Sequence, residues 1–251
     1  MFVLQILIKD WMEGFIMQIK WLGQAGYELK EGRYTILIDP YFSDLVEQEE
    51  GLKRLVPAPA ACKDVKADVI LYTHDHIDHL DSDMVKGMEK GSAIFAGPQS
   101  SYKILKACGV PEDNIRCINR GEHFQYGGCD LEAVFAEHTQ DSQGYVLHYH
   151  GRDYYFTGDS LLTPEVGYYE NKELIKADVI FVCINGKLGN MSVDEAITLT
   201  KRVQAETGIP NHYGMFAENT EDPMKYVNGL KGSGCRTVVM EKGRAYDLEK
   251  L

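Results

Sequence analysis

Three histidines and two aspartates fall within seven residues, Thr73-His74-Asp75-His76-Ile77-Asp78-His79. Imidazole and carboxylate together suit zinc, manganese or iron, and no thiol stands nearby to suggest a structural cysteine site. So dense a cluster directly beyond the apolar run at 69–72 reads as metal ligation rather than as a polar loop. His74 and His76 can converge on one ion, while Asp78 and His79 point to a second. Two ions need further ligands, and three isolated residues fit: His138, Asp159 and His212. Each follows a segment expected to be a strand or a short apolar stretch, where loops carry function. On spacing alone each is more readily an ordinary loop or core residue. Asp39 and Asp75 are placed to orient ligand imidazoles, a turn or capping role being an equal reading of each.

The elements that must position these residues follow from local pattern. Strands are expected at 17–23, 27–30 and 34–38, the last ending at Asp39-Pro40, where proline stops the ladder. Residues 43–63 read as irregular, with the acidic cluster Glu47, Glu49 and Glu50 in a solvated loop. The run at 69–72 is a buried strand delivering the histidine loop. Helices are expected at 81–90 and 98–108, with strands at 115–118, 130–136, 143–150 and 153–157. A strand at 178–183, helices at 192–206 and 222–230, and a strand at 236–240 complete the pattern. Lys66-Ala67-Asp68-Val69-Ile70-Leu71 recurs as Lys176-Ala177-Asp178-Val179-Ile180-Phe181. Chance explains such an echo as well as two related halves whose strand ends face one site.

Other chemistries fail on spacing. Gly158-Asp159-Ser160 is not a nucleophile elbow, and Gly23-Gln24-Ala25-Gly26 joins two strands with no helix to receive a pyrophosphate. His148 and His150 share a strand face that reads as solvent-facing, and His123 earns no role.

The chain has 251 residues, 44% hydrophobic and 25% charged, enough for one domain at 17–251 behind an extension at 1–16. Lys plus Arg is 26 against 38 Asp plus Glu, and the net charge of −12 disfavours nucleic-acid polymers and anionic membranes as partners. The apolar opening is broken by Lys9 and Asp10, so neither a membrane span nor a signal peptide is expected. Six scattered cysteines without a C-x-x-C read as reduced thiols of a cytoplasmic protein.

The H-x-H-x-D-H motif at 74–79, with later His, Asp and His in loops, resembles the metallo-β-lactamase superfamily. WLGQAGYEL at 21–29, IDPY at 38–41, THDHIDHLD at 73–81 and TGDS at 157–160 are similar to its L-ascorbate-6-phosphate lactonase branch. ING at 184–186, GNMSVDEA at 189–196 and HYGMFAENTEDP at 212–223 extend the likeness, which runs from residue 17 to about 245. It implies a mixed α/β fold, the four-layer αββα sandwich, with the site at one edge between two sheets. It implies that His74, His76 and His138 hold one ion and that Asp78, His79 and His212 hold the other, with Asp159 bridging. Some lactonase relatives lack a histidine at the position of His138. Many relatives carry arginine where this chain has Lys187, which keeps the charge without the planar fork.

The implied reaction is hydrolysis assisted by two divalent ions, zinc or manganese with iron as a further option. At about 3.5–4 Å apart such ions lower the pKa of a shared water toward roughly 7, and Asp159 and Asp78 are the catalytic carboxylates. Asn185, Lys187 and Tyr213 are the candidate substrate contacts, and a small anionic, phosphorylated lactone or ester is the expected substrate. The alternatives are a phosphodiesterase of a small nucleotide or RNA end, a di-iron redox protein, and a non-catalytic metal-binding protein. Self-association is left open.

Overall fold

In a computed structural model the fold is described for residues 16–251, so the expected extension lies, save for Ile16, outside the described residues. Alternation builds the first strands. In β1 (Gln18–Gly23) Ile19 and Trp21 are buried while Gln18 is exposed, and β2 (Gly26–Glu31) answers with Tyr27 and Leu29. β3 (Tyr34–Ile38) pairs antiparallel with β2. Thereafter the pattern changes to short apolar runs in β4 (Val69–Leu71) and β5 (Ile94–Gly97), which extend β3 as a parallel ladder covered on both faces, with β6 (Ile115–Cys117) as its more exposed edge. A late strand, β14 (Ala245–Asp247), closes the other edge beside β1.

The second sheet repeats the plan. β7 (His123–Tyr126), β8 (Cys129–Phe135), β9 (Gln143–Tyr149) and β10 (Arg152–Phe156) form an antiparallel meander. β11 (Val179–Cys183), β12 (Thr207–Asn211) and β13 (Arg236–Thr237) then continue it in parallel. The echoed hexapeptides occupy equivalent places, since β4 is the first parallel strand beyond β3 and β11 the first beyond β10. Their aspartates also act alike. Asp68 accepts the N–H of Thr35 at 2.8 Å and Asp178 that of Asp153 at 2.7 Å, each donor being the second residue of the preceding strand.

The sheets face one another across a core in which Tyr27 of the first meets Phe156 and Phe181 of the second, with ring centroids 5.3 and 5.0 Å away. Outside the first sheet, α2 (Ser82–Gly87) and α3 (Gln99–Ala107) bury Met84, Val85 and Leu105 against Ile70 and Phe95. Outside the second, α4 (Val193–Arg202) starts at a Ser192/Glu195 capping box, and α5 (Pro223–Gly229) at Asp222 with proline in its first turn. The result is the expected αββα sandwich. Among the described residues, no helix is long and apolar enough to cross a membrane.

Several local expectations are corrected. Residues 45–50 are not loop but a helix, α1 (Leu45–Glu50), which buries Leu45 and Val46 and leaves Glu47, Glu49 and Glu50 exposed. Its one and a half turns are too short to show a helical period. Strands β5, β7 and β14 were not expected, the helices are a few residues shorter than read, and β13 spans two residues instead of 236–240. β12 was concealed by Pro210. The odd residues of β12 bond toward β11, as Thr207 N–H does to the Asp178 carbonyl. The even ones face β13, as the Gly208 carbonyl does in accepting Val238 N–H. Pro210 therefore lacks its N–H on the side where β13 pairing has already ended at Gly208 and Thr237.

The turn after β10 depends on Gly158, whose φ is +59° and whose absent Cβ would lie 2.9 Å from Thr73 Cβ. Gly158→Ala is expected to cost at least the ~1–2 kcal/mol of a left-handed alanine. Denaturant titration checks this, and an unchanged midpoint would mean that the turn tolerates a side chain.

Candidate metal centre

Strand ends supply the centre. Asp39 follows β3, Thr73 to His79 follow β4, His138 follows β8, Asp159 follows β10 and His212 follows β12. Within the histidine loop the N–H groups of His79 and Leu80 both bond the His76 carbonyl, a tight turn that returns His79 beneath His74. Holding these ends together requires unusual backbone. Gln24, Asp39, Leu188 and His212 are non-glycine residues with φ of 48°, 44°, 53° and 58°, and all four border the site. Left-handed conformations in such residues persist only where surrounding structure enforces them.

The seven expected ligands converge. One nitrogen each from His74, His76 and His138 fall within 4.8 Å of one another, and so do the donors of Asp78, His79 and His212. His76 Nδ1 and His138 Nε2 are 3.0 Å apart. Asp159 lies between the groups, with Oδ1 3.2 Å from His79 Nε2 and Oδ2 at 3.2 Å from His212 Nε2 and 3.8 Å from His138 Nε2. Asp78 Oδ2 is 3.4 Å from His212 Nε2.

Neighbouring groups hold the ligands in place. Asp39 Oδ2 meets His79 Nδ1 at 2.8 Å and accepts Thr73 Oγ1 at 2.6 Å, while its Oδ1 accepts Thr73 N–H. Thr73 Oγ1 also reaches His74 Nδ1 at 3.0 Å, and His138 Nδ1 meets the Gly189 carbonyl at 3.0 Å. The Nδ2 of Asn190 donates to Asp159 Oδ2 at 2.7 Å, and the Nε2 of Gln24 donates to Asp78 Oδ2 at 2.9 Å. Gln24 also accepts the His212 N–H on its carbonyl. Sequence reasoning missed Gln24, Thr73 and Asn190 as site residues. The one signal for them was their place inside the GQAG, THDH and GNMS segments.

Burial and charge divide the imidazoles. Burial, reinforced by neighbouring histidines, keeps His74 well below the ordinary imidazole pKa, and His76 is lowered in the same way. Burial opposes charge on His79 and His212 as well, but there the carboxylates win. Asp159, Asp39 and Asp78 hold His79 well above its usual value, and Asp159 with Asp78 pushes His212 up to about 9. Burial would raise Asp78 and Asp159, yet His79 and His212 hold both below the usual carboxylate range. Even so, Nε2 of His74, His79 and His212 and Oδ1 of Asp159 are buried without a well-aligned hydrogen bond. Orphaned polar atoms of this kind cost about 1–3 kcal/mol each. Nitrogen and carboxylate donors converging in this way fit divalent cations.

The remaining candidates fall elsewhere. Asp75 is half-buried and bonds none of the clustered imidazoles; it lines a shallow groove beyond His76 with Ser100, Lys103 and Asp141. Asn185 turns inward, donating to Asn219 Oδ1 at 2.7 Å and accepting from Asn190. Tyr213 packs its ring 4.9 Å from Trp21, and Lys187 donates to the Glu218 carbonyl at 2.8 Å. None of these three lines the cleft, about 480 Å³ in volume, that opens onto His76, Asp78, His138, Asp159 and His212. His148 and His150 do not form a facing pair. His148 bonds Asp153 at 2.7 Å, while His150 lies in the turn beyond β9 and stacks on Tyr149.

Comparison with known proteins agrees with this architecture. Residues 34–213 match the model of the beta-lactamase superfamily domain. A UPF0173 metal-dependent hydrolase of Methanopyrus kandleri is 27% identical over 92% of this chain and 100% of its own length. Another from Thermoplasma volcanium is 28% identical over 89% and 95%. In three dimensions the chain superposes on Igni18, a metallo hydrolase of Ignicoccus hospitalis, with a TM-score of 0.70 at 21% identity, covering 92% of this chain and 97% of the other.

Proposed function

The chain belongs to the metallo-β-lactamase superfamily, and from that membership and its convergent ligand set we propose that it is a metal-dependent hydrolase of a small ester or lactone. The carrying observation is the pair of three-residue donor groups with Asp159 between them at the floor of a cleft. In this reading His74, His76 and His138 hold one divalent ion, Asp78, His79 and His212 hold a second, and Asp159 serves both. Such ions polarise a scissile carbonyl or phosphoryl group and acidify water. Asp39, Thr73, Gln24, Asn190 and the Gly189 carbonyl fix the orientation of the ligands, as outer partners do in metal sites. Of the carboxylates that line the cleft, Asp78 and Asp159 stand among the candidate ligands, and on them we place acceptance of the proton released by the attacking water.

The motif likeness to the lactonase branch supports an ester or lactone as the reacting group, and the phosphodiester reading is kept as the second member of the screen. A remote phosphate on the substrate finds less support, because among the described residues no Lys or Arg lines the cleft. Elemental analysis of protein purified without added metal, followed by a screen of lactones, esters, thioesters and phosphodiesters, tests the proposal. Hydrolysis that chelation abolishes and divalent ions restore is the expected result. Full activity in metal-free protein would overturn it. His138→Ala is expected to lose one ion and keep most of the other, since it removes a terminal ligand from one group alone; retention of both would exclude His138 as a ligand.

A further inference from the structure

We infer that the cleft beside the metal centre receives an uncharged, apolar substituent of the substrate, held against Leu52, Leu188 and Phe216, with Glu50 turning anions away. The inference rests on the hydrolase reading and adds the class of substrate.

One wall is a purpose-built apolar surface. Tyr41, Leu45, Val46, Met215 and Phe216 form a small cluster separate from the two larger cores, with Leu52 packed against it. Val46, Leu52 and Phe216 reach the cleft from that cluster. Arg54 locks the wall in place. Its Nη2 donates to the Tyr41 carbonyl at 2.9 Å, its guanidinium lies 4.3 Å from the Tyr41 ring centroid, and Leu55 N–H bonds the Met215 carbonyl at 2.8 Å.

The facing rim is Leu188, 71% exposed at a φ of 53°. A leucine that is both solvent-exposed and left-handed carries two penalties at once, and an apolar group entering the cleft would relieve the first by covering it. It sits between Gly186 and Gly189, also at positive φ, so the rim is held by backbone rather than by packing.

Charge points the same way. Apart from the ligand side chains, Glu50 at the end of α1 is, among the described residues, the one charged residue lining the cleft. The carboxylates of Asp39, Asp78, Asp159 and Glu50 would together balance two divalent ions in full. A second negative group on the substrate would therefore lose its hydration without finding a counter-charge. This revises the anionic substrate expected from sequence.

Two esters with the same leaving group separate the cases: 4-nitrophenyl hexanoate, with an apolar acyl end, and mono(4-nitrophenyl) glutarate, with a carboxylate there. The metal-loaded protein is expected to favour hexanoate in kcat/KM by about tenfold or more, the discrimination that an apolar pocket supplies. Glu50→Lys should shift the ratio toward glutarate by about tenfold, and Leu188→Asn should lower turnover of hexanoate alone. Independently of turnover, hexanamide should shift the methyl resonances of Leu52 and Leu188 in 13C-methyl spectra, and succinamate should not. Equal use of both esters, an unchanged ratio in Glu50→Lys, or methyl signals indifferent to hexanamide would overturn the inference. If neither ester is cleaved while hexanamide still shifts both methyls, the ester reading falls and the apolar cleft stands.

Discussion

Replacing Asp159 with alanine should strip metal from both proposed sites and lower turnover beyond the ~10–100-fold typical of losing an outer partner. Its two oxygens face different imidazoles, Oδ1 toward His79 and Oδ2 toward His212 and His138, so no single neighbour can substitute for it. Asn190, which fixes Oδ2 at 2.7 Å, would be left donating into an emptied space. The fold should survive, because Asp159 belongs neither to the two larger apolar cores nor to a paired strand. Asp75→Ala is the matched comparison. It removes a carboxylate from the same loop, but one that bonds none of the imidazoles, and metal content and turnover should stay near wild type. Elemental analysis, circular dichroism and turnover on whichever substrate the screen identifies decide the matter. Two ions retained in Asp159→Ala, or greater damage from Asp75→Ala, would require a different set of ligands.

Why some of this was legible in the chain and some was not has a physical basis. The histidine loop was readable because three imidazoles within six residues exceed what a polar loop needs. His138, Asp159 and His212 were not readable alone, since their partners lie far along the chain, and the family resemblance supplied the pairing. Asn190 and Gln24 are ordinary amides whose importance arises only when the turn between β1 and β2 and the loop after β11 reach the ligands in space. Tyr213 shows the opposite failure. Adjacent to His212 in sequence, it points away because His212 is left-handed, and its ring ends against Trp21 instead of the cleft. Lys187 misled for a similar reason, its charge being the visible feature while Leu188 beside it faces the cleft. The two-sheet architecture was legible through the family likeness, yet strands as short or proline-bearing as β5 and β12 carry too little period to be seen.

Asp39→Asn should remove one metal ion selectively while leaving the fold largely intact. Asp39 is fully buried and left-handed at φ 44°, a conformation asparagine also accepts, so the backbone has no reason to move. The carboxylate serves three polar groups: Thr73 N–H on Oδ1, and Thr73 Oγ1 and His79 Nδ1 on Oδ2. Asparagine offers one acceptor oxygen in place of two. If that oxygen keeps Thr73 N–H, the amide N–H groups face His79 Nδ1, which must then accept. The ring proton moves to Nε2, the atom that points at Asp159 and would ligate the metal. If the amide is turned the other way, its N–H groups face the Thr73 N–H and the end of β4 is pushed out of place. On the proposed two-ion reading, either arrangement would weaken an ion held by Asp78, His79 and His212 and spare one held by His74, His76 and His138. Asp39→Ala removes every acceptor and orphans Thr73 N–H and His79 Nδ1, leaving Thr73 Oγ1 with His74 Nδ1 alone, so its stability should fall by about 2 kcal/mol or more. Metal counting after dialysis, with 15N chemical shifts of the His79 ring, separates this account from simple destabilisation. Asp39→Asn holding two ions with the His79 proton still on Nδ1 would show that the carboxylate does not set the tautomer.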